Sequence, residues 1–139
     1  INLTSKPYLI ERMGIVDEKE IFEKTKISVL HKDITNYNAV VSPGQIKQHY
    51  SPNTPLRLNA DYPLSDEAFL AFGDVKLKPS KFYLNLSNNS NLEEAAYNLF
   101  DFLRKLDKIK KKTIAVSPIP MIGIGKTINE RLIRASNYE

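Results

Sequence analysis

The 139-residue sequence has no cysteine and no tryptophan. Without thiols there are no disulfides and no thiolate metal sites, a composition that fits a reducing cytoplasm, where the chain is expected to reside. His31 and His49 are the only two histidines, too few imidazoles for a dedicated metal centre. No apolar run approaches the roughly 20 residues that span a bilayer, and no secretory signal pattern is present. Residues 64–139 hold no Ser-His-Asp or Cys-His set, so no self-contained catalytic apparatus is expected there. The opening Ile1-Asn2-Leu3 has no methionine and reads like a strand already in progress, which points to a piece of a longer protein.

What is present is ordinary in amount and uneven in distribution. Hydrophobic residues make up 42% and charged residues 26%, the balance of a soluble globular chain of one average domain, or one small domain with an appendage. The net charge of +4 is mild. Its most concentrated contribution is the group Lys105, Lys108, Lys110, Lys111 and Lys112. A nucleic-acid patch is one reading of that group. The preferred one is a helix C-terminus, where lysines complement the macrodipole, because no aromatic residue is interleaved with them.

Three regions differ in texture. Residues 1–25 hold a short apolar piece at Pro7-Tyr8-Leu9-Ile10, then a short helix near 17–24 with Asp17 as N-cap and Ile21 and Phe22 on its apolar side. Residues 26–63 lose all periodicity and carry four of the eight prolines (Pro43, Pro52, Pro55, Pro63). A stretch this long without structure inside a compact protein is disordered or functional, and only 27–30 and 37–41 suit short strands. Residues 64–139 are clean again. Strands are expected at 66–72 and 81–86, then a helix opening at Asn91 with Glu94 three residues on. Leu92, Ala95, Ala96, Leu99, Leu103 and Leu106 form that helix's apolar stripe. A third strand at 113–117 and a last helix near 126–135, with Ile128, Leu132 and Ala135 inward, complete the pattern. The expected fold is a small α/β, Rossmann-like C-terminal domain of two or three layers with a mainly parallel sheet, preceded by a long irregular linker.

Several constellations bear on chemistry. Gly123-Ile124-Gly125-Lys126-Thr127 follows a strand and opens a helix, as a phosphate loop does. The position five before its Gly-Lys-Thr, where that motif has glycine, is Pro120, so a tight strand-to-helix turn is the better reading. Asp66, Glu67, Asp74, Glu93 and Glu94 are best explained as caps and solvated faces. Arg12, at a strand end, is suited to fork onto phosphate or carboxylate, or simply to face solvent. The hardest stretch to explain away is Ser42-Pro43-Gly44-Gln45-Ile46-Lys47-Gln48-His49-Tyr50-Ser51-Pro52. Pro43-Gly44 enforces a turn and Pro52 keeps its predecessor extended, so His49 and Tyr50 are displayed on a preset backbone.

Pro43-Gly44, His49-Tyr50 and Pro52 together resemble the proline-glycine…His-Tyr-x-Pro linker of long-form threonylcarbamoyl-AMP synthases. Glu93-Glu94-Ala95-Ala96…Leu106 is similar to that family's C-terminal helix. Gly123-Ile124-Gly125…Asn129-Glu130-Arg131-Leu132…Arg134-Ala135 is similar to its closing signature, with Glu130 as an insertion. Ile10-Glu11-Arg12-Met13-Gly14 resembles the end of its catalytic domain, with Met13 in place of proline. The resemblance implies residues 1–25 as the tail of a catalytic domain, 26–63 as linker and 64–139 as the C-terminal domain. It implies an enzyme that makes threonylcarbamoyl-AMP and pyrophosphate from L-threonine, bicarbonate and ATP, for modification of tRNA adenosine 37. On this reading Arg12, His49 and Tyr50 contact ATP or the intermediate, while Pro43, Gly44 and Pro52 set the linker's geometry. ATP enters as substrate, with Mg2+ held by the preceding domain, and this part holds no catalytic residue, cofactor or metal of its own. Its partners are that catalytic domain and, downstream, tRNA-modifying proteins, with no membrane. The bottom-up alternatives are an RNA-binding accessory module using the lysines with Arg131 and Arg134, and a nucleotide-binding regulatory domain using the Gly123 loop.

Overall fold

The computed structural model describes residues 1–4, 6–11, 14, 16–31, 52–77 and 80–136. The chain divides into two compact units, Ile1–His49 and Tyr50–Glu139.

In the first unit, β1 (Tyr8–Ile10) and β2 (Val29–His31) pair in parallel. They are joined through α1 (Glu18–Thr25), which starts as its sequence predicts: the Asp17 side chain accepts from the Glu20 amide. Lys26 ends the helix in the left-handed region, its N–H donating to the Phe22 carbonyl. Ile10 and Val29 are buried, but no residue of α1 is, and Phe22 is exposed. The expected apolar side of α1 therefore has little to cover within this unit. Asn2 forms an antiparallel bridge to Leu9, in place of the strand that residues 1–3 suggest.

The second unit is a four-stranded, all-parallel sheet of β3 (Leu56–Arg57), β4 (Glu67–Ala71), β5 (Tyr83–Asn85) and β6 (Thr113–Val116), in the order β3-β6-β4-β5. α2 (Leu92–Asp107) carries the chain from β5 across to β6, and α3 (Ile124–Ser136) follows. Asn91 caps α2, its side chain accepting from the Glu94 amide. The predicted stripe is what packs: Ala95, Leu99, Leu103 and Leu106 of α2, with Ile128 and Leu132 of α3, meet Ala68, Leu70, Leu86, Ile114 and Val116 on one face of the sheet. The other face, Phe69, Ala71 and Ala115, is closed by Ala60, Val75 and Tyr83. The architecture is thus one helical layer on a parallel sheet, with connecting segments in place of a second helical layer. Parallel strands need cover on both faces, and the near-continuous apolar run Ala68-Phe69-Leu70-Ala71 is buried on both.

The sheet takes in β3, which lies inside the 26–63 stretch that the sequence assigns to the linker. Two residues between prolines give no periodicity to read, yet Leu56 pairs with Ile114 and Arg57 with Ala115. The strand suggested at 37–41 lies outside the described residues.

Candidate functional site

The chain enters the second unit through Pro52 and is secured within a few residues. Asp107, the last residue of α2, accepts the Thr54 amide at 2.8 Å and the Thr54 hydroxyl at 2.7 Å, and its second oxygen receives Asn53 Nδ2 at 3.4 Å. Thr54 is buried. A carboxylate at a helix C-terminus faces the negative end of the macrodipole, so helix formation alone does not favour aspartate there. The converging donors from 53 and 54 do. Partial burial pushes the Asp107 carboxyl up, but the Thr54 hydroxyl and amide, with the Asn53 donors, outweigh it and hold the group below the ordinary aspartate value. One residue on, the Pro55 carbonyl accepts from the Ile114 amide at 2.9 Å, and the chain continues as β3.

A second clasp follows immediately. Arg57 forks onto Glu67, Nε to Oε1 at 2.8 Å and Nη2 to Oε2 at 2.6 Å, and Nη2 also donates to the Tyr62 carbonyl at 3.0 Å. Glu67 Oε2 accepts the Leu64 amide at 2.8 Å as well. The sequence reading placed Glu67 among caps and solvated faces, and the structure corrects it. Its side chain is only 7% exposed against 40% for Arg57, because β4 is an inner strand buried on both faces while Arg57 stands on the edge strand β3, on the far side of β6. Arg57 is the main cause that holds the Glu67 carboxyl below the ordinary value, against burial, with the Leu64 amide assisting.

At the opposite, carboxyl end of the strands the polar residues close on one another. β5 and β6 flank β4, so the crevice of the topological switch lies where β4 and β6 end. Past the ends of β4 and β5, the Ser87 hydroxyl donates to Glu94 and accepts the Asn91 amide, while Asn85 Nδ2 donates to the Gly73 carbonyl. Gly73 has φ +83°, and a Cβ would lie 3.0 Å from Ser90 Oγ. The Gly123 turn is also self-satisfied: the Gly125 amide donates to Ile122 and the Lys126 amide to Gly123. A Cβ on Gly125 would stand 2.1 Å from the Pro120 carbonyl oxygen. Asn129 Nδ2 reaches the Ile119 and Gly125 carbonyls at 3.0 and 2.9 Å, and Glu130, 4% exposed, pairs with Arg134. The Gly-x-Gly…Asn-Glu-Arg signature is therefore a packing device that seats α3, in line with the tight turn preferred over a phosphate loop.

Of the sequence-predicted site residues, Pro52 is half-buried just ahead of the Asp107 clamp. Arg12, Pro43, Gly44, His49 and Tyr50 lie outside the described residues. Among the described residues, no group of three or more His, Asp or Glu side chains stands as a metal site, and no helix is long and apolar enough to cross a membrane. Sequence reasoning missed Asp107 and Arg57. Asp107 sits in a charged run like any solvated helix end, and its partner Thr54 is 53 positions away.

Taken together these features define a small parallel α/β domain whose leading segment is stitched into the sheet and clamped to the end of its long helix. The chain belongs to the family described as threonylcarbamoyl-AMP synthase, C-terminal domain, whose model matches residues 10–137. Members of this family are parts of transferases that act in tRNA modification. Among solved structures it is similar to the crystal structure of P. abyssi Sua5 complexed with L-threonine, with a TM-score of 0.76 at 21% identity. That match covers 98% of this chain and 44% of the other, so the chain spans less than half the length of that relative and shares its fold.

Proposed function

We propose that this chain is the C-terminal part of an L-threonylcarbamoyladenylate synthase, and that it anchors an extended arm over the active site of a preceding catalytic domain. In that reaction L-threonine, bicarbonate and ATP yield threonylcarbamoyl-AMP and pyrophosphate, a nucleotidyl transfer. The product is a mixed anhydride that water destroys, so the chamber must exclude solvent while it forms. A tethered lid meets that need at low entropic cost if its far end is fixed. The observation that carries the proposal is the Asp107 clamp on Asn53 and Thr54, which begins one residue after the Pro43-Gly44…His49-Tyr50-Ser51-Pro52 motif ends.

In this reading His49 and Tyr50 lie against nucleotide or intermediate, and Arg12 offsets phosphate charge as the threonine-derived carbamate attacks the α-phosphate of ATP and pyrophosphate leaves. Pro43, Gly44 and Pro52 keep the arm's backbone preset. ATP is a substrate, and the Mg2+ that accompanies it belongs with the preceding catalytic domain. The C-terminal part alone is expected to be inactive, and the enzyme is expected to work in the cytoplasm with its own catalytic domain and downstream tRNA-modifying proteins.

Replacing Tyr50 with alanine in the intact synthase tests the lid directly. Threonylcarbamoyl-AMP formation should slow by about tenfold or more, the scale of a lost positioning contact, while the thermal midpoint stays put. An unchanged rate rejects the lid.

A further inference from the structure

The lysine group looks different once the chain is folded. β4, β5 and β6 are parallel, so the residues just ahead of each gather along the amino-terminal edge of the sheet. Lys81 and Phe82 precede β5, and Lys110, Lys111 and Lys112 precede β6. The two segments meet there: Lys111 Nζ stands 4.4 Å from the Phe82 ring centroid, and Lys81 Nζ stands 5.1 Å from the same ring. The aromatic residue that the linear sequence did not interleave is supplied by the fold, and it holds two ammonium groups in place from beneath.

The loop is also well fastened. Lys111 Nζ donates to the Ser65 carbonyl at 3.3 Å, the Lys112 amide to Asp66 at 3.1 Å, and the Lys110 amide to Asp107 at 3.1 Å, with Lys110 in the left-handed region at φ +57°. The helix-terminus reading accounts for Lys105, which pairs with Asp101, and for Lys108 at the C-cap. It does not account for three lysines beyond the helix. Among the described residues, no carboxylate forms an ion pair with Lys81, Lys108, Lys110, Lys111 or Lys112. Asp107 is occupied by Thr54 and Glu67 by Arg57.

We propose that this edge, carrying Lys81, Lys108, Lys110, Lys111 and Lys112, binds the phosphate backbone of a folded RNA. A protein partner is a poorer match, since lysine is depleted at the cores of such interfaces. An anionic membrane is poorer too, because interfacial binding needs an apolar face to insert. Here Ile109 packs against the core and Phe82 is half-buried under its lysines, so neither is free to insert. The proposal does not depend on the synthase reading, because the patch lies wholly within this chain.

The test is fluorescence anisotropy of this 139-residue chain with a labelled, unmodified tRNA transcript. Three to five phosphate contacts predict that affinity falls by about 40-fold to about 500-fold between roughly 50 and 200 mM salt. The triple variant Lys81→Gln, Lys110→Gln, Lys112→Gln should bind about tenfold more weakly at the lower salt, with an unshifted unfolding midpoint. The triple Lys19→Gln, Lys24→Gln, Lys105→Gln, with the same change in net charge, should bind within about twofold of the parent. Absence of RNA binding at low salt, equal loss in both triples, parental binding by the first triple, or binding to phosphatidylserine vesicles in preference to RNA would each overturn the proposal.

Discussion

Gly125→Ala is expected to lower the stability of the second unit by about 3 kcal/mol, the upper range for forced overpacking. The added methyl would lie 2.1 Å from the Pro120 carbonyl oxygen, a backbone atom, with Leu92 Cδ2 at 3.3 Å on its other side. No rotamer change relieves a backbone contact. Either the 119–123 turn moves or α3 does, and both moves break the Asn129 bond to the Ile119 carbonyl. In a unit of this size, thermal denaturation should show the midpoint falling by about 15 °C. A midpoint within about 2 °C of the parent would mean that the turn adapts freely, and that the Gly-x-Gly signature has some role other than close approach.

Glu67→Ala should cost about 2 kcal/mol. That is less than for a fully buried pair, because Arg57 is 40% exposed and regains water, but the Leu64 amide loses its acceptor as well. The charge gives the effect a pH signature. The Glu67 carboxyl titrates below its ordinary value of 4.5, chiefly through Arg57. A folded-state value below the unfolded one means the stabilisation is complete above about pH 4.5 and is lost as pH falls through the depressed value. Asp107, also depressed, acts in the same direction at lower pH. Urea midpoints measured from about pH 6 down to about pH 3 should fall for the parent and fall less steeply for Glu67→Ala. Parallel profiles would show that Glu67 is not the titrating group.

Local signals carried the elements whose physics is local. The N-caps Asp17 and Asn91 could be read directly because each cap residue and the amide it accepts lie three positions apart. The α2 stripe was legible because a helix facing a sheet repeats its apolar residues along one side, and the positions named from sequence are those that pack. β3 was hidden because two residues cannot display alternation, and only pairing with β6 defines them as a strand. Glu67 and Arg57, ten positions apart, and Asp107 and Thr54, 53 apart, meet only through the sheet order. Charged residues at helix ends and strand starts look alike whether solvated or buried until the chain is folded. The meeting of the lysines with an aromatic ring was hidden for the same reason, since Phe82 reaches Lys111 only because β5 and β6 both lie beside β4.

The central claim is that the clamp on Asn53 and Thr54 matters to chemistry carried out elsewhere in the intact enzyme. Pyrophosphate release by the intact synthase carrying Asp107→Ala measures it, with amide exchange at Thr54 confirming that the clamp has opened. The account predicts a rate lower by about tenfold at a temperature where the protein remains folded. A parental rate with an opened clamp would contradict it.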